Sequence, residues 1–306
     1  MLSKIAITTT SFAEFDSSPI ALCGAHGFEV SCNPFARKMN VREIIEIAKD
    51  AVGLIAGTEL INRETLSNLP SLKVISRCGT GLDNIDLAAA KRLGIKVFNT
   101  PGAPTTAVAE LTIGLILDSL RGISKSDRKI RQGIWEKEMG VLLEGKTVGI
   151  IGLGRIGKAV SRILCAFGAE VIAHDKAKVK KAGRVKLVSF NKLIANSDIV
   201  SLHLSFSNKN RHIIGSKEIE SMKRGCFIIN TSRGGLIDGK ALYSALKSGK
   251  LKGAAIDVFE EEPYHGKLTE LDNVVLTSHI GSYAKEARVK MELEAVKNLL
   301  RGLNKL

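Results

Sequence analysis

The stretch Val148-Gly149-Ile150-Ile151-Gly152-Leu153-Gly154-Arg155-Ile156-Gly157 restricts the fold more than any other part of the chain. An apolar, strand-like run breaks into Gly-x-Gly-x-x-Gly and continues into residues 158–167, which have helical periodicity. In a strand–turn–helix that takes a dinucleotide, each glycine has a mechanical reason. Gly152 permits the tight turn, Gly154 lets the backbone approach a pyrophosphate, and Gly157 lets the helix pack close to the sheet. The helix N-terminus, with Arg155 and Ile156, then offers unbonded N–H groups and the positive end of its dipole to the phosphates. A second strand-like run, 171–174, ends in Asp175, about 20 residues on, where a carboxylate is expected on the ribose diol. A carboxylate there accepts from both hydroxyls and repels a 2′-phosphate, so NAD is favoured over NADP. Lys176 and Lys178 stand beside it and act in the opposite direction.

The same alternation of strand and helix runs through the whole chain, which argues for an α/β architecture with parallel sheets. Before residue 100 the expected strands are 5–8, 29–31, 52–56, 74–77 and 97–99. Helical patterns such as 41–49 and 87–93 lie between them, the latter preceded by Asp86 as a candidate N-cap. Asn99-Thr100-Pro101-Gly102-Ala103-Pro104 is a turn-rich break, followed by a long apolar helix at 105–120. A second series begins at Lys146, with expected strands at 147–151, 170–174, 199–204, 227–230, 254–258 and 274–277. A helix over 283–301 ends it. At 306 residues the chain exceeds the size at which single cores divide, so two domains are expected.

Composition excludes several classes. No apolar run reaches the roughly 18 residues of a membrane span, and residues 1–5 lack a signal-peptide core, so the expectation is a cytoplasmic protein without membrane association. The five cysteines, Cys23, Cys32, Cys78, Cys165 and Cys226, are scattered, which fits free thiols rather than disulfides or a zinc site. The net charge of +14 fits either a basic surface that draws anionic substrates or a nucleic-acid contact. The densest basic patch, Lys176, Lys178, Lys180 and Lys181, is short and carries no aromatics, so no nucleic-acid partner is expected.

Further motifs occur in a fixed order: Arg77-Cys78-Gly79-Thr80-Gly81-Leu82-Asp83-Asn84-Ile85-Asp86, Asn99-Thr100-Pro101, Ala107-Val108-Ala109-Glu110, the glycine loop, Asn230-Thr231-Ser232-Arg233-Gly234-Gly235, Asp257-Val258-Phe259-Glu260-Glu261-Glu262-Pro263, and Ser278-His279-Ile280-Gly281. Together they resemble the D-isomer-specific 2-hydroxy acid dehydrogenase family over nearly the whole chain. The resemblance implies two Rossmann-like or flavodoxin-like lobes with a cleft between them. Residues 1–99 plus 281–306 would bind substrate, and residues 100–280 would bind NAD. It implies Arg233, Glu262 and His279 as the catalytic set. Bare chemistry agrees, because hydride transfer at C2 needs a proton at the C2 oxygen, and histidine suits that near neutral pH. Glu262 would hold the imidazole tautomer, and Arg233 would grip the substrate carboxylate with its planar fork.

By the same resemblance Asp257 would face the nicotinamide carboxamide. Thr231, Ser232 and Gly281 would line that side. Cys78, Gly79, Thr80 and Gly81 would present backbone N–H groups to the substrate carboxylate. His203-Leu204-Ser205-Phe206-Ser207 stands where the family shows His-x-Pro-x-Thr. His203 and Ser207 remain expected cofactor contacts, with the loop freed by the missing proline. Within the family the resemblance is to members acting on D-3-phosphoglycerate, in which Arg77, Arg37 and Lys38 would meet a second anionic group. The alternatives are that these three are ordinary solvated cations and the substrate is glycerate, a lactate-like acid, or a phosphonate or sulfonate. A slow NAD-sensing binding protein is a further alternative. The segment 105–135 resembles the family's dimer-forming segment, so a homodimer is expected; Trp135 either anchors that contact or fills a core.

Overall fold

The computed structural model describes residues 2–177 and 183–305. Lys178, Lys180 and Lys181 of the basic patch lie outside the described residues. The chain divides into two compact units, Met1–Pro104 with Ser282–Leu306, and Thr105–Gly281.

The first unit is a five-stranded sheet of β1 (Ser3–Ile7), β2 (Phe28–Cys32), β3 (Ala51–Ala56), β4 (Val74–Arg77) and β5 (Lys96–Asn99), in the order β2-β1-β3-β4-β5. Every pair is parallel. This is the flavodoxin-like order. Successive strand residues go to opposite faces. Ile5, Ile7, Ile55 and Val74 enter one apolar cluster, while Ala6, Leu54 and Ile75 enter the other. The C-terminal helix Lys285–Gly302 closes the first face with Met291, Ala295, Val296, Leu299 and Leu300. Burying each of its large side chains contributes on the order of 1.5–3 kcal/mol.

The second unit carries β6 (Thr147–Ile151), β7 (Glu170–His174), β8 (Lys186–Leu187), β9 (Ile199–Leu202), β10 (Cys226–Asn230), β11 (Leu251–Ile256) and β12 (Val274–Leu276). Their order is β12-β11-β10-β9-β6-β7-β8, all parallel. The order reverses at β6, between β7 and β9, which is the topological switch point of a doubly wound sheet. Ile150, Ile229 and Ala255 point into a cluster with Ile113, Ile116 and Leu120 of the helix Thr105–Arg121, and Ile151, Ile228 and Ile256 point into the opposite one.

In the second unit three strands end earlier than expected. β9 stops at Leu202 and β12 at Leu276. β11 stops at Ile256 because the next residue, Asp257, turns its carboxylate to the loops beyond the sheet. All five cysteines are free thiols. Among the described residues no helix is long and apolar enough to cross a membrane.

Candidate active site

The glycine loop joins β6 to the helix Arg155–Ala166. A Cβ on Gly157 would stand 2.1 Å from the carbonyl oxygen of Gly152, so this close packing of helix on loop admits only glycine. A Cβ on Gly154, at the N-cap, would meet no atom within 4 Å. Open space therefore faces the helix N-terminus, where a phosphate needs it. Asp175 is fixed against this loop: Oδ2 accepts from the Leu153 N–H at 2.7 Å and Oδ1 from the Ala177 N–H at 2.8 Å. Each oxygen keeps a lone pair for a ribose hydroxyl. The space and the anchored carboxylate fit a dinucleotide.

His203 follows β9, with Nε2 2.9 Å from Ser201 Oγ. Burial pushes its imidazole down to about 4, so the ring is neutral at neutral pH. Its buried Nδ1 has no hydrogen-bond partner. The loop beyond, expected to be freed by the missing proline, is held by Asn210. The Asn210 amide donates to Ser205 O at 2.8 Å, and its Oδ1 accepts from the Ser207 N–H at 2.7 Å and the Ser207 hydroxyl at 3.2 Å. The Ser207 hydroxyl, expected to donate to the cofactor, has its proton turned onto Asn210.

His279 and Glu262 meet. His279 Nδ1 lies 3.0 Å from each carboxylate oxygen of Glu262, and Oε1 also accepts from the Phe259 N–H at 3.1 Å. Both side chains are partly exposed, at 29% and 26%. With Nδ1 engaged as the donor, Nε2 is the nitrogen left to exchange a proton with a ligand. His279 sits at φ 58°, a left-handed conformation uncommon outside glycine. Asp257 makes it tenable. This fully buried carboxylate receives the Thr277 hydroxyl at 2.6 Å, the Ile280 N–H at 2.8 Å and the Gly281 N–H at 2.9 Å, bracketing His279 on both sides. Besides its expected place at the nicotinamide, Asp257 thus orients the histidine turn.

Arg233 leaves the end of β10 on a loop tied by Asn230, the first residue of the Asn230–Gly235 motif and one for which the motif implies no catalytic role. Asn230 Oδ1 accepts from the Ser232 N–H at 3.0 Å, and its amide donates to Arg233 O at 2.9 Å. An asparagine preceding a Thr-Ser-Arg-Gly-Gly turn is itself a side-chain turn signal. The Ser232 hydroxyl donates to Leu202 O at 2.6 Å. Thr112 spends its proton on Val108 O at 2.7 Å, so Thr231 is the donor in the 3.0 Å contact between the two hydroxyls. Arg233 Nη1 donates to Ser232 O at 2.8 Å. A Cβ on Gly234 would stand 2.0 Å from the carbonyl carbon of Phe259, so the arginine loop lies directly on the loop that carries Glu262.

In the first unit, Arg77 ends β4 as a buried side chain whose Nη1 donates to Cys78 O at 2.9 Å. The Gly79 N–H, expected to hold substrate, is taken by Thr100 Oγ1 at 2.7 Å. The Cys78 N–H goes to Ala56 O at 2.8 Å, and burial pushes the Cys78 thiol up to about 11, which makes it an inert core thiol. Among the described residues the N–H groups of Thr80 and Gly81 are those this loop leaves for an anion, beside the buried, unpartnered Thr80 hydroxyl. Arg37 is engaged elsewhere. Nη1 and Nη2 reach Glu43 at 3.0 and 2.6 Å, and the guanidinium lies over Phe35 at 4.7 Å. The Arg37 guanidinium and the Asn40 N–H hold Glu43 at about 2. Lys38 is exposed, with its carbonyl accepting from Arg37 Nη1.

A sheet of this order, with a glycine loop at its switch point, defines a dinucleotide-binding fold, and an acid–histidine pair stands at the ends of its strands. Residues 113–281 match the family described as D-isomer specific 2-hydroxyacid dehydrogenase, NAD binding domain. The chain is 43% identical to a D-3-phosphoglycerate dehydrogenase of Methanocaldococcus jannaschii, over 87% of this chain and 53% of that one, so it spans about half that relative's length. It is 45% identical to a hydroxypyruvate reductase of Thermotoga maritima, over 76% of this chain and 78% of that one. The crystal structure of a glyoxylate reductase from Paecilomyes thermophila aligns with a TM-score of 0.87 at 33% identity, covering 97% of this chain and 94% of that one. The chain belongs to the D-isomer specific 2-hydroxyacid dehydrogenase family, as the motifs indicated, and NAD is its dinucleotide.

Proposed function

We propose that this protein is an NAD-dependent oxidoreductase acting at C2 of a D-2-hydroxy acid or the matching 2-keto acid. The observation that carries the reading is the doubly bonded Glu262–His279 pair on a turn that Asp257 locks. When bound, NAD supplies the nicotinamide that accepts hydride from C2, and NADH supplies the donor. The protein's part is binding and proton transfer. Arg233 binds the substrate carboxylate and polarises the C2 oxygen. Within the first unit, Thr80 and Gly81 offer N–H donors to an anionic group of the substrate. His279 takes the C2 hydroxyl proton at Nε2 during oxidation and returns it during reduction, while Glu262 keeps the other nitrogen protonated.

For the substrate we propose D-3-phosphoglycerate, oxidised to 3-phosphohydroxypyruvate, a serine-forming step, on the resemblance of the loop at Arg77. One observation favours a second reading, a short unphosphorylated acid such as glycerate. Of the three cations expected at the phosphate, Arg37 is committed to Glu43 and Arg77 is buried. A panel of D-3-phosphoglycerate, D-glycerate, D-lactate and their phosphonate and sulfonate analogues, read by NADH absorbance, decides between them. The phosphate reading expects kcat/KM for D-3-phosphoglycerate at least tenfold above that for D-glycerate, with the preference lost in Arg77→Ala, since a charge-assisted contact is worth roughly 1.5–3 kcal/mol. Equal turnover of both acids would overturn it.

A homodimer is proposed as well. The helix Ile123–Arg131 buries none of its residues, and Ile123, Ile130, Trp135 and Met139 are exposed, the last two at 83% and 93%. Trp135 therefore fills no core in this chain, and large exposed apolar side chains along this one segment support the dimer reading. Light scattering on Trp135→Glu/Met139→Glu is expected to give a monomer where the parent gives a dimer. An unchanged mass would remove this segment from the interface.

A further inference from the structure

The run Glu260-Glu261-Glu262 presents three like residues with different surroundings. Glu262 holds His279. Glu260 faces the other way: its Oε1 lies 3.0 Å from His212 Nε2 and 2.9 Å from an Arg211 guanidinium nitrogen. His212 is the second unusual feature. It adopts φ 50°, which a non-glycine residue holds only when its surroundings dictate it. Its own N–H donates to Gly235 O at 2.8 Å, on the loop that presents Arg233. One strained residue thus grips the arginine loop with its backbone and the Glu262 loop with its ring. Between these two grips Gly234 lies against Phe259, and the Phe259 N–H bonds Glu262.

We propose that His212 and Glu260 are positioning residues that hold the Arg233 loop and the Glu262 loop in one register, so that guanidinium, carboxylate and His279 present a fixed geometry. Neither residue is assigned to substrate, cofactor or proton transfer. The strap lies at the surface, with side chains 34% and 40% exposed, so its contribution to global stability is small. Its leverage is geometric: a displacement of about 1 Å at reacting groups costs on the order of a hundredfold in rate. This inference rests on the proposed oxidoreductase reading.

The test uses the whole chain in three forms, His212→Gly, Glu260→Ala and the double variant. Glycine keeps the positive φ and the bond to Gly235 while deleting the ring. Each single variant is expected to lower kcat about tenfold, with NADH affinity and Tm unchanged. The double variant is expected to lose no more than either single one, because one contact cannot be broken twice. Nitrogen-detected NMR of His279 gives a readout independent of turnover: one tautomer, protonated at Nδ1, in the parent and an exchanging mixture in the variants. If the parent turns over no 2-hydroxy or 2-keto acid, the oxidoreductase reading fails alone and the His279 signals still decide the strap. Unchanged kcat and His279 signals, losses that multiply in the double variant, or a parallel fall in Tm and NADH affinity would each overturn the proposal.

Discussion

Replacing His279 by asparagine is expected to lower kcat by about 10³-fold, within the 10²–10⁴ range of a lost general acid–base group, while NADH binding stays within about twofold of the parent. Asparagine is the informative substitute because His279 occupies φ 58°, a conformation asparagine tolerates far better than alanine does. The flanking N–H groups of Ile280 and Gly281 then stay on Asp257, so the turn survives and only the proton carrier is lost. Glu262→Gln is expected to fall less, by about 10-fold to 100-fold. It removes the charge from beside the ring and leaves a neutral partner on Nδ1. Stopped-flow measurement of NADH oxidation with saturating 2-keto acid checks both. Retention of more than a tenth of parental kcat in His279→Asn would place the proton donor elsewhere.

The strands were legible where both faces are buried. Cys226–Asn230 is buried at every position and reads as an apolar run up to Asn230, as parallel strands between helix layers do. β8 was not legible, because Lys186 and Leu187 are both exposed at the edge of the sheet and carry no pattern. The helix Ile123–Arg131 was not legible as an element of its own beyond the long helix expected over 105–120. Gly122, at φ 63°, separates the two, and the second helix buries nothing. At the site, the register of Glu262 and His279 could be read from motif order, whereas the direction each acid faces could not. Glu260 and Glu262 are two residues apart yet serve different loops, and only the folded backbone separates them. Arg37 shows what the folded loop adds to the sequence, because its guanidinium pairs with Glu43. Asn40-Val41-Arg42-Glu43 is a capping box, and it placed Glu43 at a helix start beside Arg37. Read at that level, the box shows that a cation three residues upstream has a partner within its own loop.

Two alanines in the glycine loop are expected to impair cofactor binding by different routes, and the difference tests the loop itself. In Gly157→Ala the added Cβ stands 2.1 Å from the Gly152 carbonyl oxygen, and both atoms belong to backbone. The helix Arg155–Ala166 must move off the turn, carrying its N-terminal N–H groups with it, and its buried Val160 and Leu164 lose packing against the sheet. Loss of NADH binding should come with a destabilisation of about 1–3 kcal/mol, the usual cost of overpacking. In Gly154→Ala the Cβ meets nothing within 4 Å, and its φ of −73° and ψ of −158° suit any residue. The protein should keep its Tm within about 2 °C, because no contact is made or lost. Yet the methyl group enters the space that a pyrophosphate must use to reach the helix N-terminus, so NADH affinity should fall by about a hundredfold, as expected when two or three charge-assisted N–H contacts are pushed out of reach. Differential scanning fluorimetry with and without NADH, beside a fluorescence titration, reads both effects. The decisive result is the pairing of full stability with lost affinity at Gly154. If that variant binds NADH normally, the dinucleotide does not approach the backbone there and the loop's assignment fails. If it loses stability instead, the space over Gly154 serves the fold rather than the ligand.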